Sequence, residues 1–332
     1  MVVGATAYLA AFGAFAAHVS AAQSGQRRTS GPTATGLIAY ADDGGIFVRP
    51  ADGSSPAVMV SGSEPAAAPS WAPDGRRLAY ASPDGIWIVN SDGSGRRQLT
   101  HSGGLPVWSP RGDRIAWVSG RSDHETSVQV ISADGSGSRR IAEIRAGRDD
   151  SGYRPSWSPD GRRLLLWSAC RALRIVRVSD GEQRILRLND ECDGFDAQWS
   201  PDGKTIVFEG GVTSLWTIRP DGSGLRRLAR AGHDAWLPKW SPDSRLIAFF
   251  SGSRLEVMNA DGTGVRSVTR DDGGRFAWSP DSESLAIVRP HGGQCNPSPC
   301  GSVLETLSLD GRPLHRLAAG NLDWGEPLAW TR

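Results

Sequence analysis

Several things are scarce in this 332-residue chain. It holds 4 Cys, 3 Met and 4 Tyr, and its basic residues are almost all Arg. No excess of one charge is present either, because 37 Lys+Arg stand against 36 Asp+Glu for a net charge of +1. That balance excludes the strongly basic field on which nucleic-acid and anionic-membrane binders depend. A hydrophobic share of 39% is enough for a core and too small for a multi-span membrane protein. The G-x-S-x-G elbow, the P-loop, the dinucleotide fingerprint, C-x-x-C pairs and H-x-x-x-H spacing are all missing. No enzyme class announces itself. What the chain does hold is 41 Gly, 21 Pro and 13 Trp, a composition of short strands and tight turns.

Residues 1–26 contain no Asp, Glu, Lys or Arg, and the Ala-, Gly- and Phe-rich run from Val2 ends in small residues around Ala21 and Ala22. This reads as a signal peptide over residues 1–22, and so as export. An uncleaved N-terminal anchor is the alternative, since the run is just long enough to span a bilayer and Arg27 and Arg28 follow it. Cleavage is favoured because the run is short and only moderately apolar. Residues 23–35 are polar, lack apolar periodicity and are expected to be a disordered lead-in.

A Trp followed by a Pro-containing turn recurs along the rest of the chain. The copies start at Trp71 (WAPDG), Trp108 (WSPRG), Trp157 and Trp199 (WSPDG), and Trp240 and Trp278 (WSPDS), at intervals of 37 to 49 residues. That is the length of a four-stranded propeller blade. After each turn comes a β-rich stretch such as Leu78-Ala79-Tyr80 or Leu246-Ile247-Ala248-Phe249, then a third strand, an Asp-Gly hairpin and a fourth strand. The first such stretch, Leu37-Ile38-Ala39-Tyr40, has no Trp strand before it, while Leu328-Ala329-Trp330 is a Trp strand with nothing after it. Each end supplies what the other lacks. The pattern predicts an all-β propeller over residues 36–332 with seven blades, or six should one pairing fail, closed by the last strand on the first blade.

The W-[SA]-P-D-G unit, its Leu-Ala-Tyr or Ile-Ala-Phe strand and the Asp-Gly hairpin resemble the WD-like propeller repeat of TolB-type proteins. The resemblance covers residues 36–332 and implies fold more than function. It also implies a difference, because TolB carries a separate α/β domain ahead of its propeller, where this sequence has the short stretch 23–35. Two enzymatic relatives of the fold would leave marks. Prolyl-oligopeptidase-type peptidases add an α/β-hydrolase, and oligogalacturonate lyases hold a metal in the channel with His; neither mark is found.

Alternation of strand direction puts the loops between fourth and next first strands on one face, around the mouth of the central channel. These loops carry Asp149, Asp150 and Tyr153; Asp193 and Asp196; His233, Asp234 and Trp236; Asp271, Asp272 and Arg275; Asp323 and Trp324. Carboxylates beside aromatic rings suit a cation, a basic peptide or a sugar. Equally, polar residues are the default for surface connections. The opposite face takes the Pro-Asp and Asp-Gly turns with many Arg. No cofactor and no metal is expected, since each Asp-Gly-Ser-Gly hairpin offers one Asp where calcium needs about six to eight oxygens. The repeated Trp residues read as packing between blades. Cys170 with Cys192, and Cys295 with Cys300, are expected to form two local disulfides, with free thiols or a zinc site as alternatives. The function expected is a non-enzymatic, monomeric, exported module that binds or scaffolds a protein or peptide of a bacterial cell envelope. The competing class is an enzyme or glycan-binding protein, lyase-like, with its site at the channel mouth.

Overall fold

The computed structural model describes residues 35–42, 44–122, 125–144, 154–168, 172–188, 196–210, 214–228, 235–269, 274–290, 301–320, 322 and 328–331. The local chemistry of the repeat explains its turns. In the fourth blade the buried Ser158 hydroxyl donates to Asp160 (2.5 Å) and accepts the N–H of Arg163 (2.9 Å), while Asp160 accepts the N–H of Arg162 (3.0 Å). Gly161 closes the turn at φ 65°, a conformation that a Cβ disfavours. The same serine hub is built at Ser200, Ser241 and Ser279. Where Arg111 replaces the Asp, Ser109 donates to Asp113 instead, at 2.8 Å. Where Ser244 and Ser282 replace the Gly, they keep the left-handed backbone at φ 65° and 66°. Their hydroxyls accept the N–H groups of Asp202 (3.0 Å) and Asp243 (3.1 Å) in the preceding blade, an interblade bond that offsets the strain.

These turns connect seven four-stranded antiparallel sheets. Six are continuous in sequence. The remaining blade, blade 1, places Ala329–Thr331 inside Leu37–Asp42, Gly45–Pro50 and Val58–Met59, with Ile38 opposite Trp330. The indole of Trp330 donates to the carbonyl of Thr35 (2.9 Å), and that of Trp71 to the carbonyl of Ala329 (3.3 Å), which ties the seam to blade 2. The seven-bladed closure read from the two chain ends is the closure observed.

The apolar core lies between blades. Seven clusters of buried side chains each join two neighbours, as where Leu165, Leu173, Ile175 and Leu186 of blade 4 meet Trp199, Ile206, Phe208 and Trp216 of blade 5. A cluster at the seam joins Ile38 and Tyr40 of blade 1 to Ala286, Val288 and Leu304 of blade 7. The repeated Trp residues are part of these clusters, and the indoles of Trp157 and Trp278 also donate to the inner-strand carbonyls of Val107 and Lys239 at 3.0 Å. With its burial supplied between blades, the ring leaves the residues on its central channel available for other work.

Candidate functional site

The inner strands run from the channel mouth toward the Pro-Asp turns, so the residues just before each repeat Trp form their mouth-side ends. At the third place back the backbone is irregular. Ala68, Leu105, Asp196 and Leu237 all have positive φ, between 52° and 57°, and the pairing register slips beside three of them. Bulges of this kind re-aim side chains. Asp tolerates the left-handed region better than Leu or Ala, and the Leu237 N–H is held by the Glu209 carboxylate at 2.5 Å.

Four charges converge there from four blades. Arg154 of blade 4 reaches back along the wall to the carbonyls of Pro69 and Pro106 in blades 2 and 3, at 3.3 and 3.4 Å. Lys239 of blade 6 donates to the Phe276 carbonyl of blade 7 at 2.6 Å, and its ammonium lies 4.9 Å from the centre of the Phe276 ring. Arg275 precedes Phe276 on the same strand, Arg275–Trp278. Asp196 of blade 5 is the carboxylate of the group. Burial raises the Asp196 carboxyl above the usual range, against the pull of Arg275, Lys239 and Arg154. Lys239 is brought down to about 7 by burial and then by Arg154 and Arg275, with Asp196 opposing. The lysine keeps part of its surface accessible although its ammonium is walled by protein, the situation of a group opening on an enclosed channel.

Of the expected site residues, the fold therefore brings Asp196 and Arg275 into one electrostatic group. Trp236 stands on the same inner strand as Lys239, stacks on Phe250 (centroids 4.6 Å apart) and donates its indole N–H to Gly252 at 3.3 Å. Asp149, Asp150, Tyr153, Asp193, His233, Asp234, Asp271, Asp272, Asp323 and Trp324 lie outside the described residues, as do Cys170, Cys192, Cys295 and Cys300. Arg154 and Lys239 were not among the expected residues. The signal that finds them is register: aligned on the repeat Trp, they occupy the third and first places back. Among the described residues no group of three or more His, Cys, Asp or Glu side chains is placed to hold a metal.

A second concavity, about 650 Å³, opens on the turn face between blades 2 and 3, lined by Arg77, Arg97, Asp113, Arg114, Ser132, Ala133 and Asp134. Its basic side chains are already engaged. Arg77 pairs with Asp74 at 3.2 Å, Arg114 with Asp113 at 3.7 Å, and Arg97 donates to the carbonyls of Ala133 and Asp134 in the next blade. This groove is an interblade clasp.

Residues 85–332 match the family model described as the TolB beta propeller domain. The chain belongs to that family. YuxL of Bacillus subtilis, described as an uncharacterized peptidase, is 25% identical over 199 residues, which are 54% of this chain and 28% of that one. The Tol-Pal system protein TolB of Bordetella pertussis is 29% identical over 134 residues, 37% of this chain and 29% of its own. The chain thus spans less than a third of either relative. The solved structure of TolB from Acinetobacter baumannii has a TM-score of 0.56 at 18% identity, covering 90% of this chain and 67% of that one. That likeness concerns the fold of this TolB-type propeller.

Proposed function

We propose that this TolB-type propeller is a non-enzymatic binding module that takes a protein or peptide partner of the cell envelope on its channel-mouth face. The observation that carries the reading is the contrast in charge use. Carboxylates of the turn face serve their own hairpins, as Asp92 does in accepting both the N–H and the hydroxyl of Ser94 at 2.9 and 2.6 Å. At the channel, burial raises the Asp196 carboxyl above its usual range and brings Lys239 down to about 7, a cost that a ligand of matching charge would relieve. Export through a signal peptide over residues 1–22 accords with the Tol-Pal system named for the Bordetella relative. Under that reading the working module is residues 36–332, monomeric, with disulfides in its loops.

The test is paired disruption. Trp236→Ala with Arg275→Ala on the channel face, and Arg139→Ala with Arg162→Ala on the turn face, are compared in cross-linking to envelope proteins followed by mass-spectrometric mapping. Loss of one defined partner with the first pair and retention with the second supports the reading. The opposite pattern sinks it. Glycan-array binding that depends on Trp236 would move the site to the competing, sugar-binding class.

A further inference from the structure

We propose that the outer edge of blade 4, Gln183–Arg187, is a docking strand on which an extended acidic segment of a partner protein pairs as a fifth strand of the sheet. It stands apart from the channel mouth and does not depend on the binding role proposed there. Propellers keep their outer edges short or irregular, because an unpaired strand is a template for another chain. Blades 1, 2, 5 and 6 obey this with outer strands of two residues each. Those of blades 3 and 7 are longer, but the pairing register of each shifts, and the strand of blade 7 begins at Pro313. Blade 4 differs. Its five-residue outer strand pairs in unbroken register, from Ala172 opposite Arg187 to Val176 opposite Gln183, and contains no Pro.

The register also tells which backbone groups are open. Arg177 and Glu182 face each other across the hairpin, with the Arg177 N–H on the Glu182 carbonyl at 2.8 Å. Bonded and non-bonded pairs alternate along an antiparallel ladder, so Arg184 and Leu186 bond inward to the neighbouring strand. The N–H and C=O groups of Gln183, Ile185 and Arg187 therefore point away from the sheet. Side chains alternate too. Leu186 is buried against blade 5, while Ile185 is 53% exposed, more than any other large apolar side chain among the described residues. Gln183, Arg184 and Arg187 are exposed as well and make no side-chain hydrogen bond or ion pair among the described residues, although Arg184 acts through space on Asp221 of blade 5. The acids at the hairpin end, Asp180 and Glu182, are both paired with Arg177, at 2.9 and 2.5 Å. The edge thus presents an apolar side chain beside two cations.

That chemistry chooses the occupant. A second copy of this strand would bring Arg184 and Arg187 against the same two residues, and the stretch 23–35 carries Arg27 and Arg28 with no carboxylate. A segment of another protein that mixes acidic and apolar residues places a carboxylate by Arg184 or Arg187 and an apolar side chain by Ile185, while its backbone takes the outward groups. The test uses the full chain and a fluorescent hexapeptide in which Glu alternates with Val. Anisotropy reads its affinity, and hydrogen–deuterium exchange read by mass spectrometry follows the amides of Gln183–Arg187. The expected result is saturable binding with slowed exchange in that strand and not in the outer strand of blade 3. A fully N-methylated peptide with the same side chains is expected not to bind. Arg187→Glu is expected to weaken binding about tenfold, the loss of one charge-assisted pair. Ile185→Pro removes an N–H that the sheet itself does not use, and is expected to abolish binding with little change in thermal midpoint. Ile185→Thr keeps that N–H and a β-branched side chain, and is expected to bind with reduced affinity.

Absence of binding overturns the proposal. Binding that the N-methylated peptide matches, or that leaves exchange in Gln183–Arg187 unchanged, overturns it in favour of loose attraction between charges. Slow exchange of those amides before peptide is added, with a dimer in sedimentation, assigns the edge to a second copy. The same slow exchange in a monomer assigns it to the chain's own loops, and both results overturn the partner.

Discussion

On the turn face, Asp92, Asp221 and Asp261 sit below the usual carboxylate range because a neighbouring hydroxyl, and then a backbone N–H, donates to each. In the channel the direction reverses: Asp196 lies above its ordinary value and Lys239 falls to about 7. The two regions are made of the same repeat, seven times over, so the difference is one of position and not of composition. Carboxylates of these turns are bonded within the hairpin that carries them. Channel charges are imposed by single blades on a shared space and act on one another across it. A repeat protein can thus keep its folding energy in the common part of the unit and place its specific chemistry where copies differ.

The largest test of that contrast is Lys239→Met. The folded pKa of Lys239 is lowered from an unfolded value of 10.5 to about 7, so the unfolded chain binds the extra proton between those limits. The cost of the lysine is complete below pH 7 and is relieved as pH rises toward 10.5. Removing the amine is expected to stabilise the propeller by on the order of 2 kcal/mol at mildly acid pH and to flatten the alkaline rise, measured by urea unfolding across pH. Unchanged stability with an unchanged pH slope would mean the channel lysine is not under strain, and the comparison would fail.

On the other face, Ser241→Ala is expected to act in the opposite direction. Ser241 is buried, donates to Asp243 at 2.6 Å and accepts the N–H of Leu246 at 2.9 Å, so its loss is expected to cost about 2 kcal/mol. Blade 2 supplies the natural reference, since Ala72 holds the same place and its turn rests on the backbone pair of Ala72 and Arg77 and on Asp74. A thermal melt of Ser241→Ala indistinguishable from wild type would show that the hub is dispensable everywhere. A smaller effect follows from acid. The turn carboxylates add stability above their unfolded pKa, near 4, and lose it as pH falls through their lower folded values. Asp74→Asn is therefore expected to be less stable than wild type at neutral pH and to approach it as pH falls through the lowered folded pKa of Asp74.

Legibility followed the same division. Blade count and ring closure were readable because Trp, Pro, Asp and Gly each report a backbone requirement that recurs, and because Leu37–Tyr40 and Leu328–Trp330 are complementary fragments of one unit. Asp196 and Arg275 were expected to share one face from strand alternation alone, and the two act on each other through space. Arg154 and Lys239 were not, because a single Arg or Lys just before a repeat Trp carries no signal of its own. What gives them meaning is the approach of blades 4, 6 and 7 across the channel, and that is set by ring geometry.

Whether turn-face stability belongs to each hairpin or is shared between blades can be decided at Gly203. It stands at φ 74° in blade 5, and a Cβ there would meet the Pro159 ring of blade 4 at 3.6 Å, an ordinary contact. Gly203→Ala therefore adds backbone strain of about 1 kcal/mol without a clash. Gly203→Ser adds the same strain but carries the hydroxyl that Ser244 uses to accept the Asp202 N–H one blade on, with the Asp160 N–H as the corresponding donor. The serine variant is expected to recover about 1 kcal/mol over the alanine variant, read as a difference in thermal midpoint. Equal midpoints would mean that Ser244 and Ser282 are tolerated without reward. In that case each turn stands alone, and the ring is held by the apolar clusters between its blades.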